Sequence, residues 1–215
     1  MRCRRLPLLL LALLVLPSAV MAHRLDEYLQ ATLVAVEPGG VRLEMYLTPG
    51  VAVADEILAV VDRDRDGVIS PNEAGAYGES LKRDLILKLD RRTVVLTLTA
   101  SSFPEVAELR AGVGIIRLDF STTAAPLTAG VHEITLENRH MPTSSVYLVN
   151  ATLPKSRAVT VTKQKRSDDQ SWAAIEFTFD PRSQADGRGS GAGIREKKTS
   201  PPGPRGGPSG GGTGA

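Results

Sequence analysis

Cysteine is almost missing from these 215 residues: Cys3 is the only one, and it stands ahead of an apolar stretch. A lone thiol excludes an internal disulfide, and its position excludes the lipid attachment that follows a lipoprotein-type leader. Aromatics are scarce as well, with one Trp, four Tyr and four Phe. The net charge of +2 owes much to the two ends, where Arg2, Arg4 and Arg5 face Arg188, Arg195, Lys197, Lys198 and Arg205. The middle of the chain therefore has neither the basic stripe nor the interleaved aromatics of a nucleic-acid interface, and no nucleic-acid partner is expected. No apolar run beyond residue 16 is long enough to cross a bilayer, which takes about 20 residues. A Walker loop, a nucleophile elbow, a dinucleotide glycine fingerprint and a zinc-protease helix are all absent from the sequence. Nothing in it marks an enzyme, and the expectation is a non-catalytic domain.

What is present begins with a leader. Basic residues at 2, 4 and 5 precede an apolar run over 6–16 and then Pro17-Ser18-Ala19-Val20-Met21-Ala22. This is the order of a signal peptide, with Val20 and Ala22 at the positions a signal peptidase reads. The expected mature chain starts at His23, is exported to the periplasm or secreted, and has no transmembrane segment after cleavage. At the other end, from about residue 183, Gly and Pro take over and apolar periodicity stops. Such a composition cannot bury enough surface to offset its ordering entropy, so 183–215 is expected to be a disordered tail. A single domain is left over 23–182, long enough for its own core.

Within it, 28–36 reads as a strand. In 41–47, Val41, Leu43, Met45 and Leu47 alternate with Arg42, Glu44 and Tyr46, the period of a half-buried strand. The period then becomes helical at Val53, Ile57 and Val61, with Thr48-Pro49 expected as N-cap and first helical position. A second helix is expected to start at Ser70-Pro71-Asn72-Glu73, which has the form of a capping box, and to carry Tyr77, Leu81 and Leu85 on its apolar stripe. Gly75 and Gly78 should weaken it by up to ~1 kcal/mol each. Further strands are expected at 85–89, 94–99, 114–120, 131–137, 146–153, 158–165 and 173–179. Nine short strands with turn signals between them predict an antiparallel β-sandwich, Ig-like with Greek-key connections, into which a helix–loop–helix is inserted at about 49–84.

The segment between the two helices carries chemistry. Asp62, Asp64 and Asp66 occupy the first, third and fifth positions of a twelve-residue stretch, Gly67 the sixth, Val68 the seventh, Ser70 the ninth and Glu73 the twelfth. That is the ligand spacing of an EF-hand calcium loop. A hard cation such as Ca2+ takes 6–8 oxygens. Three carboxylates, the Val68 carbonyl, Ser70 directly or through water, and two oxygens from Glu73 would supply them, while Gly67 permits the sharp turn. Ile69, at the eighth position, would face the core or a partner loop. The loop is single.

The histidines offer a second reading. An N-terminal His23 could chelate copper or nickel through its amine and imidazole. His132 shares a strand face with Ile134 and Leu136, which marks it as a satisfied core or edge histidine. His140 lies in the turn Asn138-Arg139-His140-Met141-Pro142.

Four strings extend this reading: Ala22-His23-Arg24-Leu25-Asp26-Glu27-Tyr28-Leu29-Gln30-Ala31, Leu47-Thr48-Pro49-Gly50-Val51, Asn138 to Pro142, and Ser145-Val146-Tyr147-Leu148. Together they resemble the exported N-terminal domain of HupE/UreJ-like bacterial membrane proteins. The resemblance implies a β-rich domain ahead of a multi-helix membrane part, in a family whose members include proposed nickel or cobalt permeases. Here a Gly/Pro-rich segment follows Pro181 instead of hydrophobic helices, so this chain alone is not expected to transport. The resemblance leaves an accessory or receptor domain, for which a membrane protein or another protein is a possible partner, or a truncated remnant. Two expectations stand: calcium binding by the loop, or a transition-metal (nickel, cobalt or copper) accessory role through His23 with calcium only structural.

Overall fold

The structure is a computed structural model and describes residues 26–123 and 127–185. Residues 1–25, which include the expected leader and His23, and residues 124–126 and 186–215 lie outside them. The order of elements is β1 (Tyr28–Glu37), β2 (Gly40–Pro49), α1 (Ala54–Val61), α2 (Pro71–Arg83), β3 (Leu85–Leu89), β4 (Arg92–Thr93), β5 (Thr97–Ser102), α3 (Val106–Arg110), β6 (Ile116–Thr123), β7 (Gly130–Asn138), β8 (Ser145–Ala151), β9 (Val159–Arg166), β10 (Trp172–Phe179) and α4 (Arg182–Ala185).

The strands form two five-stranded sheets, ordered β5-β6-β2-β1-β8 and β4-β3-β7-β10-β9. Alternation sets the register. Val41, Leu43, Met45 and Leu47 of β2 lie beside Thr122, Phe120, Leu118 and Ile116 of β6, all on the buried face. In the other sheet Ile134 and Leu136 of β7 lie beside Ile175 and Ala173 of β10. One apolar cluster draws on both sheets and on Ile57, Leu58, Val61, Tyr77 and Leu81 of the helices. Burying a side chain of this size contributes roughly 1.5–3 kcal/mol.

Every pair is antiparallel except β1–β8, in which Tyr28 sits opposite Ser145 and Val34 opposite Ala151. A parallel pair needs a long crossover, and all the chain between β1 and β8 serves as one. The C-terminal half of β8 is met by side chains of β9. Gln164 bonds both Ala151 N–H (3.2 Å) and the Val149 carbonyl (3.1 Å), and Arg166 reaches Val149 O and Asn150 Oδ1. An unpaired strand edge invites further pairing, and these two residues occupy the Val149 carbonyl and the Ala151 N–H.

Some boundaries differ from the sequence expectation. Thr48 and Pro49 do not start a helix: they finish β2 opposite Leu29 and Tyr28, and α1 begins at Ala54 with Val53 as an N-cap that makes no side-chain bond. Pairing along the full length of β1 outweighs the local Thr-Pro signal. Leu85 belongs to β3, not to the α2 stripe. The strand expected over 94–99 is shifted: residues 94–96 are not strand and β5 starts only at Thr97, crossing to the other sheet beside β6, while the short β4 at Arg92–Thr93 turns back on β3 through Asp90 and Arg91, both at positive φ. The five-residue α3 was not expected. Gly78 is not a simple weakness either. A Cβ there would lie 2.7 Å from Leu98 Cδ2, so the glycine lets α2 approach β5, whereas Gly75 faces open space.

Candidate functional site

The acidic loop joins the C-terminus of α1 to the N-terminus of α2. Asp62 is the C-cap of α1, with its N–H on the Leu58 carbonyl. Ser70 is the N-cap of α2 in a complete capping box with Glu73, and Pro71 follows at the first helical position. The two helices, entering antiparallel β structure on either side, fix where the loop begins and ends.

Between them the aspartates brace the backbone. The Gly67 N–H donates to Asp62 Oδ2 (3.1 Å), the Asp66 N–H to Asp64 Oδ1 (3.2 Å) and the Val68 N–H to Asp66 Oδ1 (2.8 Å). Arg65 at φ 60° and Gly67 at φ 82° make the chain double back. As a result, one carboxylate oxygen from each of Asp62, Asp64 and Asp66 lies within 4.8 Å of the others. Asp64 and Asp66 are exposed, but Asp62 is only 7% exposed and its Oδ1 is buried with no hydrogen-bond partner.

That orphaned oxygen is the test of fit for a cation. A buried carboxylate oxygen without a donor is costly. Asp62 also sits at the negative end of α1, where an anion is disfavoured, and the last turn of that helix has no basic residue. A bound cation would relieve both faults, and the donors are all hard oxygens, the set that suits Ca2+ or Mg2+ rather than a soft metal. The crowding shows in Asp64. The bond from Asp66 N–H pulls its pKa down, but desolvation and the charges of Asp66, Glu73 and Asp62 hold it above the ordinary value.

Glu73 is differently placed. Its Oε2 accepts from the Ser70 N–H (2.9 Å) and hydroxyl (2.7 Å), and its Oε1 from the Arg63 N–H (2.7 Å). The Ser70 backbone and hydroxyl bonds, then the Arg63 N–H, lower its pKa to about 2. It is thus a fixed anion at the N-terminus of α2, tied to both ends of the loop, and it is not one of the three clustered carboxylates. The Ser70 hydroxyl also donates within the capping box. Val68 is exposed, and Ile69, partly buried, packs against the apolar cluster.

Neither described histidine has a free ring nitrogen. His132 Nδ1 meets Asp90 Oδ2 at 2.7 Å and its Nε2 meets the Thr128 carbonyl at 2.8 Å, with the ring stacked on Phe177. His140, a turn residue in the sequence, is 5% exposed and central to a buried polar network. Its Nδ1 meets Asp84 Oδ2 at 2.7 Å and its Nε2 the Tyr77 hydroxyl at 3.1 Å, which meets the Tyr28 hydroxyl at 2.6 Å. The His140 carbonyl accepts from Gln30 Nε2 (3.0 Å) and from the Tyr147 hydroxyl (2.9 Å), and Asn138 bonds both Gln30 Oε1 and the His140 N–H. Sequence reasoning missed this network. Its signal was Tyr28, Gln30 and Thr32 alternating on what is otherwise an apolar strand face.

No helix among the described residues is long and apolar enough to cross a membrane. No protein-family model matches the chain, and no curated protein matches it either.

Proposed function

We propose that the chain is a calcium-binding, non-catalytic domain, exported to the periplasm or secreted, in which a single EF-hand loop is carried on an Ig-like Greek-key β-sandwich. The observation that carries this reading is the buried, unpartnered Asp62 Oδ1 beside Asp64 and Asp66 at EF-hand spacing. In the bound state Asp62, Asp64 and Asp66 would supply carboxylate oxygens, with Val68 through its carbonyl, Ser70 and Glu73 completing the set. The single apolar cluster shared by both sheets supports the sandwich, and the basic, then apolar, then small-residue order of residues 1–22 supports export. The ion's role on this reading is structural. It offsets the mutual repulsion of the loop carboxylates and joins the ends of α1 and α2. A lone site of this kind suits a compartment where calcium is abundant, since extracellular modules work at ~10⁻⁴–10⁻³ M.

Calorimetric titration of calcium into the purified chain tests the reading. Saturable binding at submillimolar or millimolar calcium, lost in Asp62→Asn, is the expected result. Absence of heat in both proteins would reduce the loop to a capped acidic turn.

A further inference from the structure

The chain Tyr28–Tyr77–His140–Asp84 takes no part in cation binding, yet it fastens α2 to β1 and to the β7–β8 connection. Its hydrogens follow from counting donors and acceptors. The Asp84 carboxylate only accepts, so His140 Nδ1 carries a proton and donates to it. In a neutral imidazole Nε2 is then an acceptor, to which the Tyr77 hydroxyl donates. Tyr77 Oη in turn accepts from the Tyr28 hydroxyl. Each group is satisfied, and none of the four leaves an orphaned buried atom.

A proton on Nε2 reverses the whole chain. The Nε2–H would donate to Tyr77, Tyr77 would donate to Tyr28, and the Tyr28 hydroxyl hydrogen would have no acceptor in a side chain that is fully buried. We infer that this chain is an acid-opened latch on α2, closed only while His140 is neutral. The ionisable groups facing His140 are Asp84 after α2, Tyr77 on α2, Tyr28 on β1 and Tyr147 on β8. Neighbouring Arg139 is held at 2.7 Å by Glu137. Asp84 alone favours an imidazolium, and its side chain is 43% exposed, so water shares its charge. Burial outweighs that attraction and holds the imidazole pKa below its usual 6.5.

The direction of the effect follows. A depressed folded-state pKa means that the latch is at full strength above about pH 6.5 and is lost as pH falls through the folded value. Between the two values, opening should rise by up to about tenfold per pH unit. The latch does not rest on the calcium reading.

The test uses the full chain in EDTA, so it does not depend on whether calcium binds. The His140 imidazole is titrated by NMR while hydrogen exchange, corrected for intrinsic rate, is followed at Tyr77 and Leu81 in α2 and at Leu43 and Met45 in β2. The expected result is a His140 midpoint below 6.5, with α2 protection falling up to about tenfold per unit through that range and β2 protection unchanged. His140→Gln, which keeps one acceptor and one donor, should remove the pH response. Asp84→Asn, which removes the charge favouring imidazolium, should move it to lower pH. A midpoint at or above 6.5, or α2 protection indifferent to protonation of His140, would overturn the latch.

Discussion

The loop at the start of α2 and the network at its end treat polar groups in opposite ways. In the loop, three carboxylates converge and a buried oxygen of Asp62 is left without a donor. In the network, Tyr28, Tyr77, His140 and Asp84 pass one chain of hydrogen bonds from β1 to the C-cap of α2, and each partner is supplied from within the protein. A closed network stabilises a single packing, because any lost member strands a buried neighbour. An unclosed cluster leaves a polar atom for which the fold supplies no partner.

Substitutions should separate the two ends. The largest effect is expected at Tyr77→Phe, which strands the Tyr28 hydroxyl and His140 Nε2 together. At about 1–3 kcal/mol for each of the two orphaned groups, urea denaturation should show a loss of about 2–6 kcal/mol, equal with and without calcium. A loss that calcium repairs would break the distinction. Next come the two glycines of α2. Gly75→Ala, in open space, should gain up to ~1 kcal/mol of helix propensity, whereas Gly78→Ala should gain less or lose stability, because Leu98 must move to admit the methyl group. Thermal melts of both variants check this pair. Asp62→Asn should act in opposite directions according to the ion. Without calcium, relief of the anion at the α1 C-terminus should stabilise by about 0.3–1 kcal/mol, while the gain on adding calcium should vanish.

Smaller effects belong to pH. Glu73, lowered to about 2, contributes stability that is present above its ordinary 4.5 and is lost as pH falls through about 2. Glu73→Gln should therefore flatten acid unfolding in that window. His132 has the opposite sign from His140. Burial lowers its pKa, but the Asp90 and Thr128 bonds outweigh it and the net shift is upward. Its contribution is complete below about pH 6.5 and is lost as pH rises through the folded value. Denaturation of His132→Gln against wild type between pH 6 and 8 measures that difference.

The period-2 pattern of β2, the capping box at Ser70 and the acidic spacing from Asp62 to Glu73 were all legible in the sequence, because each is a local rule. The loop could be read without knowing what lies around it. The orphaning of Asp62 Oδ1 could not, since burial of that residue depends on how α1 packs. The network was illegible for a stronger reason. Tyr28, Tyr77 and His140 are far apart in the chain, and only the parallel β1–β8 pairing brings β1 beside the turn that holds His140. Gly78 shows the same limit. Propensity alone made it a defect, and Leu98, twenty residues on, places the tip of its side chain where a Cβ would stand.

The most direct measurement is the melting temperature of the full chain at neutral pH, in EDTA and in millimolar calcium, for wild type and Asp62→Asn side by side. Binding to the folded state alone raises stability as RT ln(1 + [L]/Kd), so the account predicts a calcium-dependent rise in wild type and none in the variant. An unchanged melting temperature in wild type, or the same rise in both proteins, would contradict the claim that Asp62, Asp64 and Asp66 hold a cation.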